Sequence, residues 1–102
     1  MRRFPDLDND TLATDRLGDS ARGYRGVIAG LDMTDSARDG GLPPAELERR
    51  LLEMGFVEGA KVEILHEGLI QRDPIAVRVD DMRVALRRRE ARAILVRALA
   101  SV

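Results

Sequence analysis

The sequence predicts a small, mainly β domain of about five strands with one short α-helix. The chain has 102 residues, and the 44% that are hydrophobic can supply one small core. One segment has helical spacing with start and stop signals, and several short segments alternate apolar and polar residues. Short strands with one buried face, in a chain of this size, usually close into a partly open barrel that leaves few edges bare.

Composition and charge exclude several classes of protein. Lys plus Arg number 17 and Asp plus Glu 18, so the basic excess typical of nucleic-acid binders is missing. The absence of cysteine excludes disulfides, thiolate metal sites, iron-sulfur clusters and a cysteine nucleophile. Pro5 and Asp6 stand where a signal peptide needs apolar residues, and no apolar run is long enough to span a membrane. We therefore expect a soluble cytoplasmic protein.

The first third of the chain divides into a tail, a strand and a loop. Residues 1–10 are predicted to form a flexible acidic tail, and a single domain is predicted over 11–102, with ordered structure beginning at Thr11. Residues 23–31 form a β-prone run and are predicted to be the first strand. Residues 32–41 are rich in Asp, Ser, Thr and Gly, which predicts a surface loop inserted into the domain.

A helix is predicted at about residues 44–54. Two prolines precede a stripe of apolar residues at helical spacing, formed by Leu47, Leu51 and Met54 and widened by Leu52. Gly55 stands where a left-handed residue ends a helix, and Phe56 is expected to fold back onto Leu51. The segment therefore predicts one buried helical face that covers an opening of the barrel.

The second half of the chain is predicted to be mostly strands. A strand around Val62 is followed by a predicted loop over 66–73, and a hairpin then turns at Asp80-Asp81. The hairpin register places Val79 opposite Met82, Val77 opposite Val84 and Ile75 opposite Leu86, with all six side chains on one face. A single 3₁₀ turn at residues 88–91 and a last strand at 94–96 complete the domain. An SH3-like barrel fits this order better than a sandwich, which needs more strands.

A search for reactive groups indicates no enzyme, no cofactor and no metal site. His66 is the sole histidine, and no serine has a visible base beside it. Arg87, Arg88, Arg89 and Arg92 form a basic cluster that could bind phosphates. The shortage of aromatic residues favours a solvated rim paired with Glu90 and other acids.

Two regions are candidates for binding a partner. Leu69 and Ile70 are apolar residues in the predicted loop, where they either plug the end of the barrel, the favoured alternative, or form an exposed contact patch. The end of the helix is core on one side and a candidate contact surface on the other. The candidate partner-binding residues are Arg49, Arg50, Glu53, Met54, Leu69, Ile70 and Arg72.

The sequence from Leu12 to Val96 resembles the FeoA family. The resemblance is carried by Leu51-Leu52-Glu53-Met54-Gly55-Phe56, Gly59, Val62, Asp73-Pro74-Ile75, Leu86-Arg87, Glu90-Ala91 and Ile94. It implies an SH3-like fold and a cytoplasmic accessory protein of ferrous iron uptake that binds FeoB, a membrane transporter with a cytoplasmic GTPase domain. The acidic tail and the long loop at 32–41 depart from the family pattern.

The resulting hypothesis is a non-enzymatic accessory protein that binds and modulates a FeoB-type transporter, with no iron bound by this chain and no insertion into the membrane. The alternatives are a nucleic-acid-binding barrel that uses the arginine cluster, a domain of the kind that ends iron-dependent repressors, and a module that associates with itself. The lack of a helix-turn-helix ahead of Thr11 counts against the repressor alternative.

Overall fold

The computed structural model describes residues 14–34 and 42–99, in which six strands form one antiparallel sheet. The elements are β1 (Thr14–Arg16), a 3₁₀ turn (Leu17–Asp19), β2 (Arg25–Leu31), α1 (Pro44–Glu53), β3 (Lys61–Ile70), β4 (Asp73–Val79), β5 (Met82–Leu86), α2 (Arg88–Ala91) and β6 (Ile94–Ala98). The strand order is β1-β6-β2-β3-β4-β5. The predicted tail at 1–10, the start of order at 11–13 and most of the predicted loop, 35–41, lie outside the described residues.

The mainly β architecture is confirmed, with one strand more than expected. The additional strand is β1, whose three residues pair with β6 so that Asp15 lies opposite Val96. A polar segment of this length shows no alternation, so its pairing depends on the neighbouring strand and is invisible in the sequence pattern.

Helix α1 follows the prediction closely. Pro44 is its first residue, and Gly55 adopts a φ of +101° just beyond its end. The Gly55 N–H donates to the Leu52 carbonyl and the Phe56 N–H to the Leu51 carbonyl, both at 3.0 Å, which is the Schellman arrangement. Leu47, Leu51 and Phe56 are buried. Leu52 does not widen the buried stripe as predicted, because it points outward and is 43% exposed.

The β4–β5 hairpin has the predicted register. Val79 pairs with Met82, Val77 with Val84 and Ile75 with Leu86. This register places the six apolar side chains on the same side of the hairpin, as predicted. Met82 nevertheless remains 59% exposed. Because β5 is at the edge of the sheet, a side chain next to its turn lacks a neighbouring strand to cover it.

The predicted loop over 66–73 is wrong. Strand β3 continues to Ile70, the chain turns at Gln71 and Arg72, and β4 begins at Asp73. The pairing shifts register between Ile64 and His66 and again between Glu67 and Ile70. Each irregularity interrupts the two-residue alternation by which a strand is recognised, so the sequence pattern resembled a loop.

Residues 88–91 form one turn of α-helix and not the predicted 3₁₀ turn. The Ala91 N–H donates to the Arg87 carbonyl at 3.0 Å and the Arg92 N–H to the Arg88 carbonyl at 2.9 Å, both with four-residue spacing. Ala91 is completely buried and Glu90 accepts from the Arg87 N–H at 3.0 Å. The side chains of the segment therefore secure a turn that would be unstable alone.

One apolar core joins the sheet to α1, α2 and the 3₁₀ turn. Its large, fully buried side chains are Leu17, Ile28, Leu51, Phe56, Ile64, Ile75, Val77, Val79, Leu86, Ile94 and Val96.

At the end of β2, Thr34 donates from its hydroxyl and its backbone to Asp32, and Arg16 donates to the same carboxylate, which lowers the pKa of Asp32 to about 2. None of the helices in the described parts of the chain is long and apolar enough to cross a membrane.

Candidate functional site

The tip of the β3–β4 hairpin exposes two large aliphatic side chains. Leu69 is fully exposed and Ile70 is 80% exposed. Ile70 pairs with Asp73 across a two-residue turn in which Gln71 and Arg72 both have a φ of +58°. Positive φ at both central residues is the type I′ geometry that matches the twist of a hairpin. The favoured prediction that these residues plug the barrel is therefore wrong, and the alternative of an exposed patch describes them. We call Leu69, Ile70, Gln71 and Arg72 the hairpin tip.

The side chain of Arg88 holds the base of the hairpin tip. Its Nε donates to the Arg72 carbonyl at 2.8 Å, and its Nη2 donates to Glu67 Oε2 at 2.6 Å. The backbone N–H of Arg88 donates to Asp73 Oδ1 at 2.9 Å. Arg88 thus contacts β3, the turn and β4 together. We call Arg88, Glu67 and Asp73 the Arg88 clamp.

The same guanidinium also joins the hairpin to the start of the domain. Its Nη1 donates to the Ser20 carbonyl at 2.6 Å and to the Gly18 carbonyl at 3.1 Å. The side chains of Arg88 and Glu67 are only 14% and 20% exposed, so water screens their charges weakly. The prediction of a solvated arginine rim is therefore wrong for Arg88, which is a structural residue. A cluster of arginines in the sequence does not show which member folds inward.

The arginines of α2 and the two that flank it, Arg87 and Arg92, surround a cleft of about 340 Å³. Its lining, which we call the arginine cleft, consists of Gln71, Asp73, Arg87, Arg88, Arg89 and Arg92. Arg92 pairs with Asp19 at 3.1 Å, with both side chains largely exposed. Glu90 pairs with Arg50 of α1 at 3.6 Å. The predicted pairing of this region with Glu90 is thus made by a residue from the other helix.

The structure divides the predicted partner-binding residues between two places. Leu69, Ile70 and Arg72 lie together at the hairpin tip. Arg49 and Glu53 lie on the outer face of α1, in a cleft of about 380 Å³ whose lining is completed by Ala45, Glu48 and Leu52. No residue of the hairpin tip lines that cleft. Leu52 was not predicted to bind a partner, because its spacing also fits the buried stripe.

The other two predicted residues contribute little to either surface. Arg50 points toward Glu90, and Met54 is half-buried against the core. Within 14–34 and 42–99, no three side chains of His, Cys, Asp or Glu converge as a metal site would require.

Fold and surface together define a small SH3-like β domain with an exposed apolar hairpin tip and a cationic cleft beside it. The chain belongs to the FeoA family, since the FeoA domain model matches residues 16–98. The family resemblance found in the sequence is thereby confirmed. No curated protein matches the chain.

Solved structures of FeoA proteins have the same fold. The solution structure of FeoA from Chlorobium tepidum is 31% identical, with a TM-score of 0.65 over 84% of this chain and 71% of that one. FeoA from Stenotrophomonas maltophilia, crystallised with zinc, is 28% identical, with a TM-score of 0.64 over 80% of this chain and 88% of that one. That protein is described as a prokaryotic SH3-domain protein with a suggested role as a ferrous iron transport activating factor.

A manganese-dependent transcriptional repressor also contains a similar domain. It is 21% identical, with a TM-score of 0.66 over 84% of this chain and 42% of the repressor. At that identity the likeness shows the shared fold alone.

Proposed function

We propose that this chain is a non-enzymatic accessory protein of ferrous iron uptake that acts in the cytoplasm by binding the GTPase-containing part of a FeoB-type transporter. Membership of the FeoA family supports the association with ferrous iron transport. The hairpin tip supports a binding role, and it is the observation on which the proposal rests.

The hairpin tip has the physical properties of a protein contact. Leu69 and Ile70 are among the most exposed large apolar side chains of the described residues, and burying each would contribute about 1.5–3 kcal/mol. The type I′ turn and the Arg88 clamp fix their backbone before binding. A preordered apolar tip loses little conformational entropy when it binds, which favours affinity.

The proposal is tested by measuring binding of the purified cytoplasmic GTPase domain of the cognate transporter. The double variant Leu69→Asp with Ile70→Asp should abolish binding, because two carboxylates would have to be buried in an apolar contact. The fold should persist, since both side chains lie outside the core.

Met82→Asp is the matched control, because Met82 is an exposed apolar residue beside the turn of the other hairpin and is 59% exposed. Binding should be unchanged in that variant. Full binding by the Leu69→Asp, Ile70→Asp variant would place the contact elsewhere, and the outer face of α1 with Arg49, Leu52 and Glu53 would then be examined.

The absence of an iron site is a separate part of the proposal. Titration of the chain with ferrous iron under anaerobic conditions should show no tight stoichiometric binding. The proposed role as an accessory protein without its own metal would be contradicted by a saturable site at one iron per chain.

A further inference from the structure

The outer face of α1 presents an exposed apolar residue among charged ones. Leu52 is 43% exposed, and it lines the α1 cleft together with Ala45, Glu48, Arg49 and Glu53. The first four of these residues along the chain are spaced as i, i+3, i+4 and i+7, which is the spacing of one helical stripe. Helix α1 therefore has one stripe packed on the core and a second stripe that is exposed.

Two opposite charges lie on the same flank of this exposed stripe. Arg49 and Glu53 are both exposed and are four residues apart, about one helical turn. Among the residues that the structure describes, neither makes an ion pair. A basic residue four positions before an acidic one is the less favourable order for a pair within one helix. Both charges are therefore available to a surface outside the chain.

The charge pattern of the stripe is complementary to itself. When two copies pack their α1 helices antiparallel around a two-fold axis midway between Arg49 and Glu53, each Arg49 lies opposite Glu53 of the second copy. Because this axis brings identical flanks together, the contact contains two equivalent ion pairs. The two Leu52 side chains meet near its centre. Glu48 lies on the other flank, where its two copies are about 9 Å apart along the helices, at 1.5 Å per residue.

We infer that the outer face of α1 is a self-association surface through which two copies of this chain form a two-fold dimer. The inference goes beyond the proposed function and does not depend on it. The formal net charge of −1 gives two copies little long-range repulsion. No residue of the hairpin tip lines the α1 cleft, so the dimer presents two hairpin tips to other partners.

A second copy fits this face better than a partner of uniform charge. A polyanion such as a nucleic acid is attracted by Arg49 but repelled by Glu48 and Glu53. The antiparallel copy pairs Arg49 and Glu53 at once and covers Leu52 with an identical apolar side chain. The contact between two helices of ten residues is small, so we expect a weak dimer with a dissociation constant of about 10 µM to about 1 mM.

The first test is sedimentation equilibrium of the unaltered chain at concentrations from about 10 µM to about 1 mM. The average mass should rise with concentration toward that of two chains. Leu52→Asp should remain a monomer, because the contact would bury two carboxylates side by side. Met82→Asp is the matched control, since Met82 is also apolar and exposed but lies on β5. Its association should equal that of the unaltered chain.

The second test uses the reciprocal ion pairs. Arg49→Glu alone and Glu53→Arg alone should each weaken association by about tenfold or more, because each places like charges opposite one another at two positions. An equimolar mixture of the two variants should associate about as strongly as the unaltered chain, since every acidic position in the mixed dimer meets a basic one. Mixing cannot repair an effect within a single helix, so the rescue is specific to a contact between copies. Thermal unfolding shows whether each variant is folded.

The outcomes separate this inference from the proposed function. The inference is overturned if the unaltered chain stays monomeric at about 1 mM, if Leu52→Asp associates normally, or if the mixture associates no better than its components. Binding of the cognate transporter's GTPase domain should be unchanged in Leu52→Asp. Loss of that binding in a chain that does not self-associate would assign the face to the transporter and overturn the inference. The effect of Leu69→Asp with Ile70→Asp on transporter binding tests the proposed function alone.

Discussion

The two hairpins that share β4 turn in the same number of residues and end in opposite chemistry. The β4–β5 hairpin ends in Asp80-Asp81, next to Val79 in the core. The Asp80 N–H donates to the Lys61 carbonyl at 2.8 Å, and the Lys61 N–H donates to Asp80 Oδ1 at 3.1 Å. This turn is polar and is secured by the strand beside it.

The β3–β4 hairpin ends in the exposed Leu69 and Ile70, and its turn is secured by Arg88, a residue 16 positions beyond Arg72 in the chain. The β4–β5 hairpin shows that a turn in this fold needs only charged residues to close. Two aliphatic side chains in water lower solubility and add nothing to the core. Their presence on a clamped turn supports a binding role for this hairpin, and the other hairpin serves as an internal control.

The largest expected effect is on the Arg88 clamp. Arg88→Ala should lower the free energy of unfolding by about 3 kcal/mol, because it removes the cation that pairs with the half-buried Glu67 carboxylate and the donor that serves three carbonyls. Within the described part of the chain, Glu67 then keeps only the Arg22 N–H, which donates to it at 3.2 Å. Unfolding by urea measures this. The control is Arg78→Ala, which removes an ion pair between Arg78 and Glu63 that water reaches more easily and should cost less than about 1 kcal/mol.

If Arg88→Ala and Arg78→Ala lowered the free energy of unfolding equally, Arg88 would be an ordinary surface residue and would not secure the β3–β4 turn. Amide hydrogen exchange adds a local measurement. In Arg88→Ala, exchange should accelerate at residues 67–73 and remain unchanged at residues 77–84.

The next effect concerns the close approach of backbones in the β3–β4 hairpin. A Cβ placed on Gly68 would overlap the Asp73 carbonyl group, which is backbone and cannot move aside easily. Gly68→Ala should therefore cost about 2 kcal/mol as β3 and β4 are forced apart. It should also weaken partner binding by displacing the hairpin tip. Gly59→Ala is a useful comparison because its site has open space, although its positive φ adds strain of its own.

A result in which Gly68→Ala unfolds at the same urea concentration as the unaltered chain would show that the strands can separate without cost. The hairpin tip would then be less ordered than the clamp implies.

A smaller effect is expected at the acidic turn. Asp80 has a φ of +49° and its carboxylate accepts from Lys61. Asp80→Ala should cost about 1 kcal/mol through the lost hydrogen bond. Asp80→Asn keeps an acceptor and tolerates the same backbone conformation, so its stability should stay close to that of the unaltered chain. Neither change should alter partner binding, and a loss of binding would mean that both hairpins contribute to the contact.

The two hairpins also show where sequence reasoning succeeds. Strict alternation on both sides of Asp80-Asp81 specified the β4–β5 register, and Gly55 specified the end of α1. The same reasoning failed on 66–73, because two register shifts break the alternation there. Because β3 was not predicted to continue to Ile70, the exposure of Leu69 and Ile70 could not be predicted either.

The candidate site was predicted only in part, because local sequence pattern does not contain the long-range contacts that position it. Leu69, Ile70 and Arg72 were selected by their composition, as apolar and basic residues in a polar segment. The role of Arg88 depends on contacts with residues far away in the chain, such as Gly18 and Ser20, and local pattern contains no information about them. Leu52 was assigned to the core because its spacing fits both faces of α1.

The smallest effect is expected at Gln71, and it sharpens the distinction between the turn and the apolar pair that it presents. Gln71 occupies the first central position of the type I′ turn with a φ of +58°, a conformation that asparagine adopts more readily than glutamine. Gln71→Asn should raise the free energy of unfolding by about 0.5 kcal/mol, because the native backbone becomes less strained. Partner binding should be unchanged, since Leu69 and Ile70 keep their positions.

Gln71→Val is the matched control, because a β-branched residue opposes positive φ and should destabilise the hairpin. If asparagine destabilised and valine did not, the turn would not have this geometry in solution, and the hairpin tip would lack the preordered backbone from which its affinity is argued.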